Sequence, residues 1–279
     1  MDKREAFQAM AADMARGIQA FPTSAQVAMK VRQALDDPDC HVDAAATLVQ
    51  AEPLLAARVV ALANSAAYNR SGRAVTDIRT AVSQVGFRTL RSLASALVTR
   101  QLASNNEDPA VQAMAAQLWE HTAHVAALAH VIARRVTRLD PETALFAGLV
   151  HEVGGFYLLS RAADFPGLLD GDFSEWVDEG ETLVGSAVLK VLEVPAAVQE
   201  GVQGYWHGFL SLPPLTLTDT LLLAEELAPV LSPVHHLAGM DPSLDHRAEV
   251  DLVLGSETLS SILAESAQEV ESLTGALQF

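Results

Sequence analysis

Apolar residues recur along this chain at the three- to four-residue spacing of amphipathic helices. Residues 2–19, for example, place Phe7, Met10, Met14 and Ile18 on one helical face. No stretch alternates between apolar and polar residues for long enough to predict a strand. Proline, glycine and short polar runs separate the helical segments, which is typical of a helical bundle. The pattern therefore predicts an all-α, multi-helix fold.

A polar stretch at 104–108 is the clearest internal boundary, and it divides the bundle into two helical halves. The predicted units are a leading helix over 1–19, an N-terminal half over 20–103, a second half over 109–231, and a C-terminal loop with a closing helix over 232–279.

Within these units, three details are specific enough to be tested. One long helix is predicted over 109–136, with His121 on its apolar stripe. Gly86 is predicted to end a helix, as glycine does at helix C-caps. The last unit is predicted to hold a loop around His235 and His236, followed by a single helix over roughly 256–276.

Charge narrows the range of partners. The chain has 18 basic and 35 acidic residues, a formal net charge of −17, and no basic cluster. Such a surface repels phosphate backbones, so we expect no direct binding to nucleic acid or to anionic membranes. The single cysteine, Cys40, excludes an internal disulfide and a cysteine-based zinc site.

The N-terminus is charged and has no apolar signal core, and no uninterrupted apolar run approaches the ~20 residues that a membrane span requires. These features predict a cytoplasmic protein.

Candidate chemistry is concentrated at two places. His151 and Glu152 end an apolar helical run and precede Gly154 and Gly155. His121 lies thirty residues upstream in another apolar helix. The zinc-protease pattern His-Glu-x-x-His is absent because position 155 is glycine. The other histidines, including His124, His130, His207, His235, His236 and His246, are interpreted as ordinary hydrogen-bonded or solvated side chains.

The order of several short motifs resembles that of the HDOD family, a regulatory branch of the HD phosphohydrolase superfamily. The matching segments are FP at 21–22, DP at 37–38, AEPLLAAR at 51–58, LANSA at 62–66, IRTAVSQVG at 78–86, LWEH at 118–121 and GLVHEVG at 148–154. Together they span roughly residues 20–230. The resemblance implies an all-α fold of two helical halves and a regulatory role in bacterial signalling, usually without demonstrated catalysis.

The resemblance also implies where a metal would bind. Superfamily hydrolases use a first His, a His-Asp pair, a later Asp and often further His to hold metals that activate water. His121 and His151 occupy the first two of these positions, but Glu152 replaces the Asp. Glu225 replaces the late Asp and is the weaker candidate.

Two further positions depart from the superfamily pattern. Glu181 stands where relatives have a His, and Tyr205-Trp206 stands where they have a His pair, with His207 displaced by one residue. We therefore expect too few donors for catalysis, no catalytic residue and no cofactor. The alternative is one divalent Fe, Mn, Ni or Zn ion at His121, His151 and Glu152.

Asn64 and Ser65 mark a helix end beside the polar loop 69–75 in the N-terminal half. An exposed loop suits ligand contact. Asn64 is interpreted first as a structural hydrogen-bonding anchor and second as a ligand contact.

Three functions remain open from the sequence. The favoured one is a non-catalytic signalling module that binds a protein partner or a small ligand through its helical surfaces or the groove between its halves. The second is a metal-dependent phosphohydrolase acting on a nucleotide or cyclic dinucleotide. The third is a structural domain that forms a homodimer.

Overall fold

The computed structural model describes residues 2–16, 23–103, 106–239, 247–254 and 258–278. These residues form helices and connecting turns, with no strand among them, so the predicted all-α fold is confirmed. The predicted boundary at 104–108 lies partly outside the described residues, and the division into four units remains a prediction.

The first helices belong mainly to the N-terminal half. They are α1 (Lys3–Ala15), α2 (Thr23–Ala34), α3 (Val42–Gln50), α4 (Pro53–Asn64) and α5 (Ile78–Leu102). The side chain of Glu52 caps α4 and that of Asp77 caps α5, each accepting a backbone N–H of the first turn. Gly86 interrupts the helix as predicted: its φ is +80°, so two helical segments of α5 meet there in a kink.

The second half contains the longest uninterrupted helix. Its helices are α6 (Pro109–Ile132), α7 (Pro141–Val150), α8 (Val153–Arg161), α9 (Ser186–Val191), α10 (Ala196–His207) and α11 (Leu217–Leu227). The predicted helix over 109–136 is α-helical only to Ile132 and ends in a π-helical turn over 133–137. A second π-helical segment covers 176–185 and packs on α1, where the rings of Phe7 and Trp176 meet edge to face at 5.3 Å.

The C-terminal prediction is wrong in two respects. His235 and His236 lie in a short helix, α12 (Pro233–Leu237), because Pro233 occupies its first turn and Ser232 caps it. The predicted closing helix is divided at Ser266, which is the C-cap residue of one helix and the N-cap residue of the next. The last helices are α13 (Arg247–Leu254), α14 (Leu259–Glu265) and α15 (Ala267–Leu277); residues 255–257 lie outside the described part of the chain.

One apolar segment in the described part of the chain, Pro141–Arg161, is long enough to span a membrane, but 83% of its most apolar window is buried inside the protein. The structure divides this segment at His151 and Glu152, between α7 and α8. The segment is apolar because α7 and α8 both pack in the core of the protein.

The most extensive helix contact lies between α6, which carries His121, and α7, which leads directly into His151. A Cβ atom built on Gly148 would lie 2.5 Å from Cα of Ala126, so only glycine permits the observed approach. This packing fixes the position of His151, three residues after Gly148, relative to α6. The absence of one methyl group therefore sets the spacing of the two histidines.

We predict that Gly148→Ala lowers the free energy of unfolding by about 1–3 kcal/mol, because the added methyl meets the backbone of α6. Thermal or urea unfolding followed by circular dichroism measures this change. Gly275→Ala in α15 is the matched control: a Cβ there meets nothing within 4 Å, so the control should be neutral or stabilising. Equal stability of both variants would contradict the account of the α6–α7 contact.

A polar network joins the two halves to the C-terminal helix. Glu142 of α7 accepts hydrogen bonds from Tyr68 Oη (2.5 Å) and Thr89 Oγ1 (2.6 Å). His130 of α6 lies between two carboxylates, with Nε2 3.7 Å from Glu142 and Nδ1 3.4 Å from Glu269. The network therefore ties α15 to the interface between the halves.

The network also makes stability depend on pH. Burial alone would raise the pKa of Glu269, but its contacts with His130 and Arg134 outweigh burial and lower that pKa to about 2 from an ordinary value of 4.5. Because the unfolded chain takes up this proton first as the pH falls, the contribution of Glu269 is present above pH 4.5 and is lost toward pH 2.

We predict that Glu269→Gln flattens the fall in unfolding free energy over this range by on the order of 1 kcal/mol, after allowance for solvent screening. Chemical denaturation at a series of pH values measures the slope. Glu271→Gln, an exposed carboxylate of the same helix, is the control and should keep the parent slope. If the unfolding free energy of the Glu269 variant fell with pH as steeply as that of the parent, the contacts of Glu269 with His130 and Arg134 would contribute nothing to stability.

Candidate metal centre

The two candidate histidines face each other in the core. His121 of α6 and His151 at the end of α7 are both fully buried, and their Nε2 atoms lie 3.3 Å apart. His121 Nδ1 lies 2.8 Å from the carbonyl oxygen of Val230, and His151 Nδ1 lies 2.7 Å from that of Gly148. A carbonyl oxygen only accepts, so each Nδ1 carries a proton and each Nε2 points into the centre. If both rings were neutral, two lone pairs would face each other, and that arrangement requires a proton or a cation between them.

Glu152 adds a carboxylate with no hydrogen-bond donor. Its side chain is fully buried, and neither of its oxygens has a hydrogen-bond partner. The nearest nitrogens are Nδ1 of His235 at 3.7 Å and Nε2 of His121 at 4.0 Å. Because a buried polar atom without a partner is costly, these oxygens are suited to a cation or to ordered water.

Glu225, the weaker sequence candidate, lies in the same cluster. Helix α11 places its Oε2 3.1 Å from Nε2 of His121 and 3.7 Å from Nε2 of His151. The structure thus brings together all four residues that the sequence suggested as ligands, from α6, α11 and the turn after α7.

Two further side chains complete the cluster, and the sequence reasoning assigned neither to it. His235 Nε2 lies 3.3 Å from Oε1 of Glu181, and His235 Nδ1 lies 3.9 Å from Oε1 of Glu225. His235 is hydrogen-bonded, as its interpretation as an ordinary histidine allows, but α12 places it among the candidate ligands, which the sequence did not predict. The available signal was Ser232-Pro233, a capping residue followed by proline, which is typical of a helix start.

The cluster contains three imidazoles and three carboxylates, arranged as two overlapping groups. Within each group the donor atoms all lie within 4.8 Å of one another; the groups are His121–His151–Glu152 and Glu152–Glu181–His235. Glu152 is common to both. The cluster therefore offers two more potential donors than the four that the sequence suggested, and the expected shortage of donors for catalysis stays a prediction. Nitrogen and oxygen donors without sulfur suit Zn, Fe, Mn or Ni, the ions named from the sequence.

Aromatic residues close the centre on one side. The ring of Tyr205 meets that of His151 edge to face at 5.4 Å, and Trp206 Nε1 donates to the backbone carbonyl of His151 at 3.3 Å. These residues stand where HD relatives have a His pair. Among the six cluster side chains the most exposed is Glu225, at 18%. The centre is enclosed.

Protonation of the cluster follows its pairing. Burial alone would lower the pKa of His121, but the charge of Glu225 outweighs burial and raises that pKa to about 8. Burial alone would raise the pKa of Glu225, but the charge of His121 outweighs burial and lowers it. Burial alone would lower the pKa of His235, but the charges of Glu152 and Glu181 raise it. Burial is the main reason that the pKa of Glu181 is raised. The cluster without a cation is thus a hydrogen-bonded set of partly protonated groups.

Asn64 and Ser65 take part in a different arrangement, at the end of α4. Asn64 Nδ2 donates to the carbonyl oxygens of Val60 (2.9 Å) and Val75 (2.7 Å), and Asn64 Oδ1 accepts the N–H of Val75 (2.8 Å). Ser65 Oγ donates to the carbonyl of Leu62. Asn64 therefore fastens the returning loop to α4, which supports the structural alternative for this residue.

We predict that Asn64→Ala lowers the free energy of unfolding by about 1–2 kcal/mol, because two backbone groups of Val75 lose their partner. Equilibrium unfolding measures the change. Metal content, determined on the same samples, should equal that of the parent chain, since these contacts lie outside the cluster. Unchanged stability with altered metal content would reverse the assignment.

Comparison with solved structures agrees with the fold. A proposed metal-dependent phosphohydrolase from Shewanella amazonensis superposes with a TM-score of 0.72 at 21% identity, covering 99% of each chain. An HDOD domain protein of unknown function from Geobacter sulfurreducens gives 0.61 at 21% identity, covering 98% of this chain and 97% of that one. A proposed signal transduction protein from Marinobacter aquaeolei gives 0.54 at 18% identity, covering 100% of this chain and 67% of that one.

At these identities the likeness shows the fold alone. No curated protein sequence matches the chain. The HDOD domain, however, matches residues 21–170, more than half of the sequence, and this span contains His121, His151 and Glu152. The chain belongs to the HDOD domain family.

Proposed function

We propose that this chain is a non-catalytic regulatory protein of bacterial signalling whose second half holds a divalent cation in a closed centre. It acts by binding a protein partner or a small ligand in the cytoplasm. The observation that carries the proposal is the enclosure of three imidazoles and three carboxylates around Glu152, whose buried oxygens have no hydrogen-bond donor.

The residues that would hold the cation are His121, His151, Glu152 and Glu225, with Glu181 and His235 on the other side of Glu152. Backbone carbonyls at Val230 and Gly148 accept from Nδ1 of the first two histidines and so fix both rings. A bound divalent cation would supply positive charge to neutralise the carboxylates and, in an open site, would activate water.

Enclosure favours a structural role over hydrolysis. A catalytic metal site keeps a position open for water and substrate, whereas a structural site is closed by protein ligands. Here Tyr205 and Trp206 pack against His151, and the cluster side chains are 18% exposed or less. Among the described residues, Glu225 and His235 are the only cluster side chains with more than 10% exposure, so the centre offers little surface to a phosphoester.

A closed centre has a mechanical consequence. Its donors come from α6, α11, α12, the turn after α7 and the π-helical segment 176–185. Holding one cation joins these elements more firmly than packing alone, so the second half becomes a rigid body against which the N-terminal half can present a binding surface. A homodimer is one form that such a partner could take.

We predict that the purified protein binds a divalent cation and that His151→Ala and Glu152→Gln each abolish stoichiometric binding. Added metal should raise the unfolding free energy of the parent by about 2.7 kcal/mol at a hundredfold excess over Kd, and should not stabilise the variants. Elemental analysis and thermal unfolding with Zn, Mn, Fe or Ni measure both effects. His124→Gln is the control, a half-buried histidine one turn along α6. A parent protein that binds none of these ions would contradict the proposal.

A second measurement separates regulation from hydrolysis. The metal-loaded protein should not hydrolyse bis(p-nitrophenyl) phosphate or a cyclic dinucleotide. Turnover that disappears in His151→Ala would establish the phosphohydrolase alternative instead, and the two overlapping donor groups are the observation that favours that alternative.

A further inference from the structure

A cavity of about 420 Å³ lies between the two helical halves, away from the metal centre. Its walls come from α2 and α5 on one side and from α7, α10 and the turn before α10 on the other. The volume falls in the range of small-molecule sites, about 300–1,000 Å³. None of the six side chains of the metal cluster lines it.

The wall from the N-terminal half is cationic. Arg32, Arg88 and Arg91 all line the cavity, together with the hydroxyl groups of Ser92 and Ser95. Three of the 18 basic residues thus converge on one cavity in a chain of net charge −17. Guanidinium and hydroxyl groups in this combination are suited to a phosphate.

Arg32 is the most constrained of the three. It is 5% exposed, its Nη1 donates to the carbonyl oxygen of Leu192 at 2.6 Å, and its Nη2 donates to Glu193 Oε2 at 2.8 Å. Its Nε is buried without a hydrogen-bond partner. A buried guanidinium with an unused N–H can donate one more hydrogen bond to an anionic oxygen.

Glu193 occupies the place that an anion would take. Its side chain is 69% exposed although its carboxylate meets the buried Arg32, and its φ is +46°, in the left-handed region that non-glycine residues rarely adopt. Because the carboxylate side of this pair is largely solvent-exposed, a ligand phosphate can take the place of Glu193 on the buried Arg32.

The cavity has two other acidic residues: Glu142 is hydrogen-bonded to neighbouring side chains, and Asp36 makes only a weak contact with Arg91. Glu142 accepts hydrogen bonds from Tyr68 and Thr89 on the network side. Asp36 is half exposed and lies 3.4 Å from Arg91, a weak contact. This contact uses Nη1 of Arg91, which also donates to the carbonyl oxygen of Leu35 at 3.2 Å, so the rest of the guanidinium can meet a ligand.

The opposite wall is apolar. Phe146, Leu192 and Val198 face the cavity from the second half, and Pro195 extends the same surface. A ligand seated here would place an anion on the arginines and a flat or apolar body on these side chains. It would touch both halves.

We propose that this cavity binds a phosphomonoester with an aromatic or apolar body, of the size of a nucleoside monophosphate. The phosphate displaces Glu193 from Arg32 and contacts Arg91. Binding fixes the relative position of the two halves. This proposal rests on the proposed function, in which the protein binds a small ligand, and it places that ligand in the cavity. The ligand can bind there whether or not the metal centre holds a cation.

Isothermal titration calorimetry with AMP as the probe tests the proposal. We expect one site per chain, with adenosine and inorganic phosphate each binding at least about tenfold more weakly, since each retains only half of the contacts. Failure of AMP to bind up to millimolar concentration, or equal binding of inorganic phosphate alone, would overturn the proposal.

Two pairs of variants locate the site. Arg91→Gln should weaken AMP binding by about tenfold or more, through loss of a charge-assisted contact. Arg79→Gln is its control, a more exposed arginine paired with Asp43 outside the cavity. Glu193→Gln should tighten binding by about three- to tenfold by removing the competing charge. Glu179→Gln, half exposed beside Arg4, should change it less than twofold.

Unfolding midpoints check that each variant is folded, and Arg88→Gln replaces Arg91→Gln if the latter is not. The metal content of the Arg91 and Glu193 variants should stay at the parent level.

If AMP binding is lost in His151→Ala and kept in Arg91→Gln, the nucleotide belongs to the metal centre and the cavity proposal is wrong. A parent protein that binds AMP but no divalent cation would contradict the closed metal centre and leave the cavity proposal intact.

Discussion

Two imidazole nitrogens facing each other at 3.3 Å inside an apolar core are the constraint on which the rest of this structure depends. Each ring is fixed by a backbone carbonyl at Nδ1, so neither can turn its lone pair away. Beside them lies the buried carboxylate of Glu152, without a hydrogen-bond donor. Such an arrangement is unfavourable unless positive charge, as protons or a metal ion, stands among these groups.

The surrounding fold serves this arrangement. Gly148 lets α7 approach α6 closely enough to bring the two histidines together, and α11 and α12 add Glu225, His235 and their neighbours. Tyr205 and Trp206 then fill the side that an open site would leave to solvent. The scaffold is that of the HDOD domain family, and in it the six donor side chains are 18% exposed or less, whereas a separate cavity lies between the two halves.

Much of this architecture follows from local sequence. Helical spacing and the break at Gly86 were sufficient to predict the fold, because each depends on neighbours within a few residues. The metal cluster was only partly predictable. His121, His151, Glu152 and Glu225 follow from motif order, but His235 reaches the cluster from another helix, over a hundred positions after His121 in the sequence. Spacing along the chain carries no information about such a contact, and the short helix that creates it was interpreted as a loop.

The most direct test of the central claim is X-ray absorption spectroscopy of the protein as purified and after loading with Zn²⁺ or Mn²⁺. The account predicts a bound ion with at least two imidazole ligands and oxygen ligands in its first coordination sphere, and loss of the imidazole signal in His151→Ala. An ion with only oxygen ligands, or an unchanged spectrum in that variant, would contradict a centre built on His121 and His151.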